Sequence, residues 1–279
     1  MYTPAVMERN LGVGNIGEAC FRAWYDRRVA GVAPAATLEH YGYNPDGIVV
    51  GRDKVEMLKA LTKSPDYVLL SSKPGSVRVP LLGISVNGQS SRYTMHDARA
   101  PWLCYVCARK AQQRCFDKEI GNLWFNRYNI ENDYRGFVAA FGVDVILVTI
   151  EAGWFGRIFK QVKDEGLESV ALRYIRNGQP AIGDGVQEGQ GEMQRFLSLV
   201  TKERRGTKDR RIKIEWLSYQ SILNGEVAFS IAGGQSQFGR PREVVCIDSS
   251  TAQSEDSLVR ILQSPIPHLV KLRGGEAAP

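Results

Sequence analysis

The chain is expected to be an α/β protein, with a mixed central sheet flanked by helices and a smaller β-rich part toward the C-terminus. Three observations predict this. Short apolar and β-branched runs alternate with stretches of helical periodicity up to Ile150. The run from Gly142 to Ile150 has the unbroken apolar character of a strand covered on both faces. Finally, the segments Ser64–Leu70 and Leu81–Gln89 flank a Pro/Gly/Ser-containing turn, which is the pattern of an antiparallel hairpin. The candidate boundary lies in a Gly-rich stretch, dividing an α/β core over residues 1–176 from a basic α+β region over 177–279.

Taken in order, residues 1–14 read as an arm closing on Gly12-Val13-Gly14. Asn15 then reads as the N-cap of a helix with Ile16, Ala19, Cys20, Ala23 and Trp24 along one face. Glu18 falls in its first turn, where the helix dipole favours an acid, while Arg22, Arg27 and Arg28 make its far end basic. Gly31 to Asp53 is expected to be loop-rich, with one short strand at Gly47–Val50 after the turn Asn44-Pro45-Asp46-Gly47. Residues 54–63, carrying Val55, Met57, Leu58 and Leu61, read as a short amphipathic helix leading into the hairpin.

The hairpin opens with an acid. Asp66 follows Pro65, where the chain is pushed out of the helical region, so its side chain projects from the mouth of the first strand. Alternation along the second strand puts Ser85, Asn87 and Gln89 on one face and Ile84 and Val86 toward the core. A half-exposed hairpin with no chemical role has the same layout. Asp46, in a second Pro-Asp before a strand, competes with Asp66 for any acidic role.

Beyond the hairpin, residues 90–100 read as loop. A long helical region is expected from Pro101 to about Tyr128, interrupted near Gly121, with Leu123, Trp124 and Phe125 among its apolar positions and Arg109, Lys110, Arg114 and Lys118 on its exposed side. The second half reads as a basic helix at Trp154–Lys163, a strand at Val170–Ile175, the linker from Gly178 to Gly191, and a helix at Glu192–Val200. Strands at Ile212–Tyr219 and Glu226–Ala232 are expected to be joined by an Asn224-Gly225 hairpin turn, followed by a strand at Val244–Ile247 and a helix at Glu255–Gln263.

Composition narrows the function. At 279 residues, 43% hydrophobic and 24% charged, the chain has the make-up of a folded globular protein with a substantial core. Its longest apolar runs are strand-sized and its N-terminus lacks a secretory pattern, so an intracellular, cytoplasmic location is expected. A net charge of +6 favours a polyanionic partner, nucleic acid being the commonest. The segment containing Lys202, Arg204, Arg205, Lys208, Arg210 and Arg211 suits salt-dependent contact with a phosphate backbone, and equally a solvated loop.

Five cysteines do not form a disulfide framework and suit a reducing compartment. Cys104, Cys107 and Cys115, with His96 upstream, invite a metal reading, but a helix spreads the thiols over three turns, about 16 Å, so core-facing thiols are expected. Gly183-Asp184-Gly185 lacks the strand-to-helix context of a dinucleotide loop. His40, His96 and His268 are isolated in sequence, which leaves hydrolytic triads unsupported.

The order of elements, with Gly17-Glu18 on the first helix, Pro65-Asp66 opening one hairpin strand and Ile84-Ser85-Val86-Asn87 on the next, resembles the PD-(D/E)xK nuclease superfamily over roughly residues 12 to 150. The resemblance implies a restriction-endonuclease-like core in which Glu18 and Asp66 hold Mg2+ or Mn2+ for phosphodiester hydrolysis. Two positions depart from the family pattern: Ser85 stands where an acid is expected, and Asn87 where a lysine is expected. On this reading Asp66 is the central ligand and Glu18 holds an outer water or a second ion. Ser85 ligates weakly or through water, Asn87 or Gln89 orients the attacking water, and Lys73 stands in for the missing cation. The function implied is a metal-dependent DNA endonuclease, the alternative being a catalytically inactive DNA-binding or assembly subunit. The expected partner is DNA, with RNA not excluded and no membrane, in a homo-oligomer or a larger nucleoprotein complex.

Overall fold

The computed structural model describes residues 4–31, 36–41, 65–71, 79–89, 122–127, 129–151, 155–178, 190–201, 213–235, 241–248 and 251–263. Helix α1 (Pro4–Tyr25) runs on through one π-helical turn to Ala30 and is followed by strands β1 (Ala36–His40), β2 (Tyr67–Ser71), β3 (Pro80–Gln89) and β4 (Asn122–Asn126). A π-helical turn (Asn129–Asp133) leads into α2 (Tyr134–Phe141), then β5 (Val145–Glu151), α3 (Phe155–Asp164), α4 (Glu168–Asn177) and α5 (Gln190–Thr201). The chain continues through β6 (Lys213–Ser218), α6 (Tyr219–Leu223), β7 (Phe229–Gln235), β8 (Pro241–Asp248), β9 (Gln253–Ser254) and α7 (Glu255–Leu262).

The architecture is α/β, as expected. A mixed six-stranded sheet has the order β1-β2-β3-β5-β6-β9, and a three-stranded sheet has the order β4-β8-β7. In the larger sheet β3 and β5 are parallel and the other pairs antiparallel. Strands from both sides of residue 177 share this sheet, because β6 pairs with β5 and β9 with β6.

β5 is the sheet's spine because its side chains are apolar on both faces. Ile146, Val148 and Ile150 enter a core with α1, α3, α4, α5 and α7, whereas Val145 and Leu147 enter a second core with α2, α6, β4 and β8. Each such large apolar side chain contributes roughly 1.5–3 kcal/mol on full burial. The expected hairpin is present: β2 and β3 pair with Tyr67 opposite Ile84 and Leu69 opposite Leu82, with a bulge between Leu69 and Leu70.

α1 is the helix that matters for the site, and a glycine sets its distance from the sheet. A Cβ on Gly17 would lie 2.5 Å from the Gly88 Cα, so the helix and the end of β3 meet backbone to backbone. Any other residue at Gly17 would hold them apart.

Several expectations are corrected. α1 starts at Pro4, not Asn15, and Gly12 lies within it where it packs on α3: a Cβ there would fall 1.9 Å from Phe159 Cε2. Within the stretch read as loop-rich, Ala36–His40 forms the sheet's edge strand β1, paired along its length with β2. Leu123, Trp124 and Phe125 lie on a strand, pairing with Ile247, Cys246 and Val245. Their strand period is visible in the burial of Leu123 and Phe125.

Val170–Ile175 is helical, burying Val170, Ala171, Tyr174 and Ile175 at helix spacing. Asn224-Gly225 closes α6 and does not turn a hairpin, since β6 belongs to the larger sheet and β7 pairs with β8 in the smaller one. The expected strand at residues 47–50, the helix at 54–63, the loop at 90–100, the helical region at 101–121 with its cysteines and exposed cations, and the linker at 179–189 lie outside the described residues.

Candidate active site

Where β2 begins, β3 runs on. Tyr67 is the last β2 residue paired across to β3, opposite Ile84, while β3 continues to Gln89. The Val86 N–H therefore meets no further β2 backbone and donates instead to Asp66 Oδ2, at 2.6 Å. Ser85 Oγ donates to the same oxygen at 3.1 Å and lies 2.7 Å from the Tyr134 hydroxyl of α2. With the Ser85 proton committed to Asp66, the Tyr134 hydroxyl is the donor in that second contact. The Asp66 carbonyl accepts from the Tyr41 N–H at 2.8 Å, tying the end of β1 to the same point.

The second acid arrives from above. The close Gly17–Gly88 approach lowers α1 onto β3, and Glu18 is the next residue. The Tyr67 hydroxyl donates to the Glu18 carbonyl at 3.3 Å, and Glu18 Oε2 lies 3.2 Å from His40 Nε2. His40, the last residue of β1, is held edge-on to the Tyr67 ring, with centroids 5.1 Å apart.

Burial governs the electrostatics. It pushes the Glu18 carboxyl up to about 7. Asp66 also rises to about 7, first through burial and then through the neighbouring Glu18 charge, against the opposing pull of the Val86 N–H, His40 and Ser85. Burial lowers His40 to about 4, opposed by Asp66 and assisted by Arg176 and Arg22. The imidazole is therefore neutral near pH 7, and its contact with Glu18 is a hydrogen bond, not an ion pair. Burial also raises the Tyr67 and Tyr134 hydroxyls, which remain protonated donors.

Among the described residues neither carboxylate is salt-bridged to an arginine or lysine; Arg22, one turn beyond Glu18, is engaged by Asp26 at 3.0 Å and the Leu38 carbonyl. Magnesium-type sites take one or two carboxylates and complete their sphere with water and substrate oxygens, and Glu18 with Asp66 fits that donor set. A closed protein cage does not form: among the described residues no group of three His, Cys, Asp or Glu side chains is arranged to hold an ion.

Of the residues expected from sequence, Glu18, Asp66 and Ser85 come together. Asn87 is two positions along β3, on Ser85's face and opposite Thr149 of β5, and Gln89 lies opposite Glu151 at the strand's end. Lys73, Asp46 and the set Lys202, Arg204, Arg205, Lys208, Arg210 and Arg211 fall outside the described residues. Sequence reasoning missed His40 and Tyr134. Tyr134 was findable, since Ile130, Tyr134, Phe137, Val138 and Phe141 follow helix spacing. β1 offers only Leu38 as a large apolar residue, which is too weak a signal to locate His40.

No protein-family model matches the chain, and no curated protein matches it. A solved structure described as "Structure of D212, a nuclease from a fusselovirus" aligns over 94% of each chain at 13% identity, with a TM-score of 0.33. A likeness at that TM-score carries no weight beside the placement of Glu18, His40 and Asp66.

Proposed function

We propose that the chain is a nuclease hydrolysing phosphodiester bonds with a divalent metal ion, Mg2+ or Mn2+, held by Glu18 and Asp66. One observation carries this reading: two carboxylates from separate elements are half-buried in one cluster, and both are driven up to about 7. Burying like-charged acids together destabilises a fold, and such perturbed pairs concentrate where chemistry is done. When bound, the ion would lower the pKa of an attacking water and offset charge building on the phosphate.

The chain's own residues orient the groups. Val86 N–H and Ser85 fix Asp66 through Oδ2, Tyr134 fixes Ser85, and His40 fixes Glu18. Asn87 and Gln89 are proposed to position water, and Lys73 to supply positive charge near the phosphate. Lys202, Arg204, Arg205, Lys208, Arg210 and Arg211 are proposed to contact the backbone of DNA, in keeping with the net charge of +6, and RNA offers the same phosphates. No helix among the described residues is long and apolar enough to cross a membrane.

A second reading is favoured by Ser85 and Asn87, which bring neither a third acid nor a lysine: a nucleic-acid-binding or assembly subunit without catalysis. The two are separated by incubating the protein with labelled single- and double-stranded DNA and RNA in Mg2+, Mn2+ or chelator. Metal-dependent cleavage supports the nuclease, binding without cleavage supports the subunit, and the absence of both cleavage and binding removes both readings.

A further inference from the structure

We infer that Arg176, in the last turn of α4, anchors the substrate strand by gripping a phosphate that flanks the Glu18–Asp66 cluster on its β1 side. The inference rests on the nuclease reading and deepens it, because it names a residue from the second half of the chain that fixes the strand and says where along the strand it acts.

α4 is clamped over the edge of the site. It packs on α1 and on β1, the strand that ends in His40. The Tyr174 hydroxyl donates to Asp26 Oδ2 at 3.1 Å. Two residues beyond Arg176, at Gly178, a Cβ would lie 2.3 Å from Arg22 Nη2, so the end of α4 rests on the Arg22 guanidinium. Gly178 reaches that contact at a φ of +70°, while its N–H closes the helix on the Tyr174 carbonyl. Arg22 in turn donates to the Leu38 carbonyl of β1. Arg176 therefore lies between two residues tied to Asp26 and Arg22, and it is half-buried, whereas Arg173, three residues earlier, is exposed.

The helix dipole alone favours a cation in a last turn, so the position in α4 is not by itself a function. What distinguishes Arg176 is where its charge acts. It is felt at His40 more strongly than that of Arg22, although Arg22 lies on Glu18's own helix. Neither Glu18 nor Asp66 is paired with it. The guanidinium thus stands past His40, to the side of the acids. A cation between the acids would neutralise them and compete with the divalent ion. One at their side meets the next phosphate of a strand whose cleaved phosphate lies at Glu18 and Asp66. A planar guanidinium suits that contact, since its paired N–H donors match two phosphate oxygens.

The test uses the full chain and measures binding of labelled DNA and RNA oligonucleotides, single- and double-stranded, by fluorescence anisotropy in chelator. The unaltered protein is compared with Arg176→Ala, Arg176→Lys and Arg173→Ala, the last removing an equal charge from the exposed side of the same helix; circular dichroism checks folding. Arg176→Ala is expected to weaken binding on the order of tenfold and to flatten the slope of log affinity against log salt by about 0.7 on a single strand, the share of one phosphate. Arg176→Lys should keep that slope, and Arg173→Ala should keep both slope and affinity. In single-turnover cleavage with Mn2+, the loss in Arg176→Ala should fall on the half-saturating concentration more than on the saturated rate. Cleavage by the unaltered protein with binding unchanged in Arg176→Ala, or equally weakened in Arg173→Ala, overturns the anchor and leaves the nuclease reading standing. A loss confined to the saturated rate also overturns it, placing Arg176 on the cleaved phosphate. Binding that depends on Arg176 with no cleavage in Mg2+ or Mn2+ keeps the anchor and overturns the nuclease, and the absence of both binding and cleavage overturns both.

Discussion

Glu18 Oε2 and His40 Nε2 stand 3.2 Å apart, carried there by helix α1 and edge strand β1. The imidazole is uncharged, so its hydrogen bond orients Glu18 but does not neutralise it. Glu18 is thereby left to share one low-dielectric space with Asp66, and the consequences are measurable.

The first consequence is a pH dependence of stability. Both acids titrate near 7 in the fold, against ordinary values of 4.5 for Glu18 and 3.8 for Asp66. Between those limits the folded state holds more protons than the unfolded chain, so stability falls as pH rises and levels off above about 8. His40 acts with the opposite sign: its value drops from 6.5 to about 4, so its contribution to stability grows as pH rises between those two values. The carboxylates therefore act alone above 6.5. Without divalent ions, the melting temperature is expected to fall from pH 6.5 to 8. The Glu18→Gln protein should show a smaller fall, the carboxyl being worth on the order of 3 kcal/mol at full ionisation. A fall of equal size in the variant counts against the assignment.

Ser85→Ala removes the hydroxyl that links Asp66 to Tyr134. It leaves the buried Tyr134 hydroxyl without that partner, at an expected cost of about 1–3 kcal/mol in urea denaturation. Since Ser85 lowers the Asp66 value, its loss drives that carboxyl further up. NMR titration of the carboxyl carbon should show the midpoint moving toward higher pH.

Gly17→Ala and Gly14→Ala test the seating of α1. A methyl at Gly17 meets the Gly88 backbone, which cannot swing aside, and about 1–3 kcal/mol of destabilisation is expected. Affinity for divalent ions should fall with it, because Glu18 is displaced. A methyl at Gly14 meets nothing within 4 Å, so that substitution should stabilise the helix by about 0.5–1 kcal/mol. Equal effects from the two would show that α1 does not sit on β3 as described.

The sequence disclosed the parts of the fold in which local pattern and tertiary burial agree. The unbroken apolar run of β5, the β2–β3 hairpin and the face Ile16, Ala19, Cys20, Ala23, Trp24 of α1 were all legible for that reason. Val170–Ile175 was not: its β-branched ends suggested a strand, whereas the burial of Val170, Ala171, Tyr174 and Ile175 follows a helix. Gly12 looked like a helix breaker because its packing role depends on a partner, Phe159, that is distant in the chain. In the site, Asp66 and Ser85 were readable from the hairpin, and Glu18 was placed on the right helix but in its first turn, whereas α1 begins at Pro4 and carries Glu18 in its interior. His40 was not readable, because its role comes from a sheet edge whose pairing with β2 no local pattern announces.

The central claim is that Glu18 and Asp66 together hold a cation for phosphodiester hydrolysis, and a single-turnover cleavage rate on labelled DNA tests it most directly. The rate is measured in Mn2+ for the unaltered protein and for Asp66→Asn, which keeps the side chain's size and its ability to accept from Val86 and Ser85. Cleavage that requires the ion and falls by at least about a hundredfold in the variant, a loss of roughly 3 kcal/mol of transition-state stabilisation, is the predicted result. Cleavage at an unchanged rate in Asp66→Asn, or none by the unaltered protein with any divalent ion, would contradict it.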